Sequence, residues 1–104
     1  YCGMGCPTNA KQSMLVTTIP SALDAGARML VRTRALRLAF EGTRATGVDV
    51  AGMSPDGLRP TGPTTSVRAR HVVLAGGAIG TPALLMRSDA PDPYGLAGKR
   101  TFLH

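Results

Sequence analysis

The sequence predicts a mixed α/β chain, an α+β fragment in which an antiparallel hairpin precedes a strand–glycine turn–helix unit. Three observations carry this. Residues 35 to 40 alternate, with Leu36, Leu38 and Phe40 on one side and Arg37 and Ala39 on the other, the period of a half-buried strand. A short turn, Glu41-Gly42-Thr43-Arg44, links them to Ala45–Val50, where Val48 and Val50 share a face, which predicts a hairpin. Further on, Val72, Val73 and Leu74 are consecutive apolar residues that end at Gly76-Gly77. Such a run suits a strand buried on both faces, as in a parallel sheet covered by helices.

The elements follow in order. Tyr1–Lys11 is rich in Gly, Cys and Pro and predicts an ordered loop. Gln12–Thr18 predicts a short helix weakened by β-branched Val16, Thr17 and Thr18. Pro20 then opens a second helix, Ser21–Ala25, and Gly26 stops it. Ala27–Thr33, with Met29, Leu30 and Val31, predicts a strand before the hairpin. Met53–Thr65 contains three prolines and two glycines and predicts an exposed loop, after which Ser66–Arg70 returns as a strand. After the buried strand Arg70–Ala75, Thr81 is the expected N-cap and Pro82 the first residue of a helix through Arg87. Ser88–Gly98 is a loop.

The chain has 104 residues, suited to one small domain or a part of a larger one. It starts at Tyr1 and stops at His104, and both ends read as cuts through a longer protein. The net charge is +6, from ten arginines and two lysines against six acids. A basic excess admits an anionic partner. The arginines are scattered and aromatics make up 4%, whereas nucleic-acid readers cluster their basic residues and single-strand binders interleave aromatics. A small basic nucleic-acid-binding module is therefore the alternative reading, with no nucleic acid the expectation. Cys2 and Cys6 cannot complete a four-ligand zinc site or a disulfide framework; no metal is expected, and reduced thiols suit a cytoplasmic protein. No stretch reaches the length of a membrane span.

Chemistry concentrates in two segments. Arg70–Leu85, RHVVLAGGAIGTPALL, places glycines before a helix N-terminus, whose free N–H groups and dipole suit an anion. Its functional reading is contact with a nucleotide near the diphosphate; its plain reading is a tight packing turn. It is not the G-x-G-x-x-G fingerprint, and without that fingerprint or a ribose-binding acid a nicotinamide-dependent enzyme fits poorly. Cys2–Ser13 reads as a wall near a cofactor or as a packed loop. His71 and His104 assemble no catalytic set with the other residues, so no catalytic residue is assigned.

These two segments, in this order, resemble the glucose-methanol-choline (GMC) family of FAD-dependent alcohol oxidoreductases, over nearly the whole chain. Gly77-Ala78-Ile79-Gly80-Thr81-Pro82-Ala83-Leu84-Leu85-Met86-Arg87-Ser88 resembles the second family signature, and Gly5–Leu23 looks like the bacterial branch that includes long-chain alcohol oxidases. Two departures stand out. The signature usually continues Ser-Gly, here Ser88-Asp89, and the usual Ala-Ala-Gly-Ala is Ala75-Gly76-Gly77-Ala78. The resemblance implies that residues 1–104 are an internal piece of the amino-terminal FAD-binding portion, a Rossmann-like domain carrying an antiparallel β-meander. It implies cofactor contacts from Ala75, Gly76, Gly77 and Ala78. It also implies an adenine contact through the backbone at Leu36, the residue after Val31-x-Thr33-x-Ala35. The implied chemistry is hydride transfer from a small alcohol to the flavin, with the catalytic histidine and its partner outside this chain. The substrate and the electron acceptor, oxygen or another, stay open.

Overall fold

The computed structural model describes residues 4–8 and 10–100. They fall into two compact units that divide between Val31 and Arg32.

In the first unit residues 10–13 are irregular, residues 14–17 turn, and helix α1 follows over Thr18–Asp24. The expected helix over Gln12–Thr18 is a set of turns. Its backbone bonds span three and five residues, from the Val16 N–H to the Ser13 carbonyl (3.0 Å) and from the Ile19 N–H to the Met14 carbonyl (2.9 Å), where an α-helix needs a span of four. Pro20 sits in the first turn of α1, where a missing N–H costs nothing. Gly26 terminates α1 as expected, at φ 91°. Its N–H reaches the Leu23 carbonyl and that of Ala27 reaches Ala22, both at 2.9 Å, the paired bonds of a Schellman motif. The strand expected over Ala27–Thr33 does not form. Met29, Leu30 and Val31 are exposed, Arg32 takes φ 48°, and only Thr33 joins a sheet.

The second unit holds a three-stranded antiparallel meander, β1 (Thr33–Glu41), β2 (Arg44–Met53) and β3 (Pro60–Arg68), in that order, followed by helix α2 (Gly77–Arg87). The expected hairpin is present, closed by the Glu41–Arg44 pair around Gly42, which takes φ 60°. Its register slips twice, once at Leu36 and once at Thr46. The second slip brings Gly47 so close to β3 that a Cβ there would stand 2.4 Å from the Val67 carbonyl oxygen.

The loop expected over Met53–Thr65 is shorter than its prolines suggest, because β3 already begins at Pro60. The register jumps from Val50–Thr65 to Gly52–Thr61, so residues 62–64 oppose Ala51 alone. Gly62, at φ 76°, and Pro63 thus lie in a bulge, where a proline removes no ladder bond. Only residues 54–59 form the connection. There the Asp56 carboxylate accepts from Ser54 Oγ and from the Leu58 N–H, and these bonds, the Ser54 one first, hold its pKa below the ordinary carboxylate value.

Two expectations for the following segment are corrected. Residues 69–75 form no strand, and Val73 is 87% exposed, with Val72 and Leu74 half-buried. A strand needs a neighbour to pair its backbone with, and among the described residues no strand pairs with it. Helix α2 also starts four residues before the expected Thr81 N-cap. Gly76 is the N-cap, and the Thr81 hydroxyl, inside the helix, accepts the Gly76 N–H at 2.9 Å. Pro82 therefore lies within α2.

The core of this unit is small. Leu38 from β1, Val50 and Ala51 from β2 and Leu84 from α2 are its buried apolar residues, and α2 packs on β1. Residues 89–98 form the expected loop. In it the Asp92 carboxylate accepts the N–H groups of Ala97 (2.8 Å) and Leu96 (3.1 Å), which lower its pKa.

Candidate functional site

Four of the expected site residues, Ala75, Gly76, Gly77 and Ala78, form one exposed turn leading into α2. Gly77 takes φ 75°, and a Cβ on it would meet nothing within 4 Å. Its side of the turn is open space bounded by backbone, in a conformation side chains resist. Gly76 is tighter: a Cβ there would approach the Thr81 nitrogen to 3.2 Å. The turn therefore presents the N-terminus of an eleven-residue helix with no bulky group in front of it, a surface suited to a phosphate.

Leu36 lies elsewhere. It is the extra residue of the β1 bulge, between the pairs Ala35–Val50 and Arg37–Asp49. Its carbonyl accepts Arg87 Nε at 3.4 Å, at the C-terminal end of α2. Leu36 therefore lies beside the C-terminal end of α2, and the glycine turn lies at the N-terminal end.

Next to Leu36 is a feature that the sequence analysis missed. Ser88 is a buried polar residue, 4% exposed. Its hydroxyl accepts the Leu38 N–H at 2.8 Å and donates to the Leu84 carbonyl at 2.6 Å. Asp89 follows at φ 49°, and its carboxylate pairs with Arg37. The Asp89 N–H reaches the Met86 carbonyl at 3.3 Å and that of Ala90 reaches Leu85 at 3.1 Å. This is the same Schellman ending as in α1, with aspartate where α1 has Gly26. A left-handed position explains why glycine is the usual residue after this serine. The available signal was the serine closing an apolar helical run.

The remaining candidates do not assemble. His71 is exposed; Cys2 and His104 lie outside the described residues. Cys6 Sγ lies 3.3 Å from Thr8 Oγ1 and accepts the Ala10 N–H at 3.3 Å. Among the described residues no group of His, Cys, Asp and Glu could hold a metal ion, and no helix is long and apolar enough to cross a membrane.

Comparison with known proteins supplies what geometry alone does not. The family model described as GMC oxidoreductase, which covers the amino-terminal domain, matches residues 1–104. The chain belongs to the GMC oxidoreductase family. It is 45% identical over 87 residues to an uncharacterized GMC-type oxidoreductase of Sinorhizobium fredii, a match covering 84% of this chain and 17% of that protein. It is 41% identical over 87 residues to an uncharacterized GMC-type oxidoreductase of Mycobacterium tuberculosis strain H37Rv, covering 84% of this chain and 13% of that one. The chain thus spans less than a fifth of these relatives. No solved structure matches significantly. The matched GMC domain is the family's FAD-binding, Rossmann-like region, so the meander and α2 are an α+β portion of that fold.

Proposed function

We propose that this chain is a segment of the FAD-binding domain of a cytoplasmic flavoprotein that oxidises the CH–OH group of a small-molecule alcohol. In this reading the Ala75–Ala78 turn faces the FAD diphosphate and the backbone at Leu36 faces the adenine. The observation that carries it is the open turn at Gly77, lying within the GMC match. The residues fit the group: a phosphate can approach the first N–H groups of α2, and Ala75 and Ala78 add no bulk. Bound there, the flavin would supply the acceptor for a hydride from the alcohol carbon. The chain's own residues orient its nucleotide half, and no catalytic residue lies among them.

Residues 70–75 then pair with strands supplied by the rest of the protein, which accounts for the exposure of Val73. The test is the flavin content of the complete protein. It is expected to purify yellow, with one FAD per chain released by acid. A folded, colourless protein with no flavin in its acid extract overturns the proposal.

A further inference from the structure

We infer that Ser88, assisted by Arg87, is a positioning residue for the adenine side of the cofactor site, acting through the bulge at Leu36. The inference deepens the FAD reading and rests on it.

The β1–β2 ladder skips Leu36, so pairing with β2 does not fix that residue. The fixing groups lie on the opposite edge of β1, in three consecutive residues at the end of α2. Arg87 Nε donates to the Leu36 carbonyl. Asp89 pairs with Arg37. Ser88 makes the bond that holds the strand most firmly, because its hydroxyl relays from the Leu38 N–H to the Leu84 carbonyl at 2.8 and 2.6 Å. Both partners belong to residues of the buried core, Leu38 and Leu84, and a buried hydroxyl satisfied on both sides has one preferred position. The hydroxyl therefore sets the height of β1 against α2 two residues after the bulge. The Arg37–Asp89 pair adds little, since both side chains are more than half exposed.

The position of Ser88 predicts a one-sided effect. It acts at the Leu36 end of α2, a helix length from the glycine turn. Loosening it should disturb what binds at Leu36 and leave the turn intact. FMN shares the flavin ring, ribityl chain and first phosphate with FAD but lacks the adenine half, so comparing the two ligands isolates that end.

The experiment titrates the flavin-free complete protein with FAD and with FMN, in the native form and in the S88A and R87M variants. S88A is expected to weaken FAD about tenfold, the loss for one buried bond left unmade, with FMN affinity within about twofold of native. R87M removes only the long surface bond and is expected to weaken FAD about twofold with FMN unchanged. If S88A does not fold, S88C, which keeps the side-chain size with a weaker donor and acceptor, carries the same FAD-against-FMN comparison. Equal losses for FAD and FMN, or native FAD affinity in a folded variant, would overturn the positioning role and leave Ser88 as a purely structural bond. Native protein that binds no FAD would instead overturn the reading on which this one rests.

Discussion

The two ends of α2 face opposite demands. At its C-terminal end Arg87, Ser88 and Asp89 each hold a residue of β1, and the carbonyls of Leu85 and Met86 are closed by a Schellman motif. At its N-terminal end Gly77 faces open space, Ile79 is exposed, and the preceding segment carries Val73 into solvent. The first end is complete in itself. The second has the apolar side chains and open N–H groups of an element that is finished by something else. The contrast separates the contacts this segment makes for itself from those that the proposed reading assigns to strands and a cofactor outside it.

The most severe challenge to that contrast is a charge at Val73. If residues 70–75 become an interior strand in the complete protein, Val73→Asp buries an unpaired carboxylate. It should cost about 3 kcal/mol or more, read as a fall in thermal midpoint with loss of flavin. A variant with native stability would mean that the segment stays in solvent and that the two ends of α2 differ less than proposed. A smaller effect is expected at Gly77. Valine there must take φ 75°, which costs about 1–2 kcal/mol, and it fills the space assigned to the diphosphate. The flavin-to-protein ratio should drop while the circular dichroism spectrum stays native. Full flavin occupancy with unchanged affinity would reduce Gly77 to a packing residue. The smallest effect concerns the other end. Asp89→Ala keeps the left-handed backbone and loses the Arg37 pair, and should destabilise by about 1 kcal/mol. Asp89→Gly relieves the backbone as it loses the pair, and should come within about 0.5 kcal/mol of native. Chemical denaturation separates the two; an alanine variant as stable as the glycine variant would show that backbone strain contributes nothing there.

Legibility in the sequence followed the same divide. The hairpin was readable because alternation and a glycine turn are local signals, and Leu38 and Val50 are buried where the pattern placed them. The bulges were not readable, since an extra residue such as Leu36 has the same letters in or out of register. β3 was hidden by Pro60, Gly62 and Pro63, which a bulge accommodates. The start of α2 was misplaced because Thr81-Pro82 mimics an N-terminus, while the true cap depends on a positive φ at Gly77 that no letter other than glycine hints at. The strand at Val72–Leu74 was inferred from its apolar run, but strand formation needs partners, and hydropathy does not say whether they belong to this segment. Of the candidate site, the glycine turn was legible as a motif. Ser88 was not, because its importance lies in a bond across fifty residues of sequence.

The bulge in β3 also has a consequence for solubility. β3 is the outer strand of the meander, and every residue in it is exposed. A long bare edge of this kind would invite a second copy to add its own strand and begin aggregation. Here Pro60 and Pro63 have no N–H to offer, and Gly62 at φ 76° turns the backbone out of line between them. An incoming strand would meet a regular ladder only over residues 64–68, about half the length of β3.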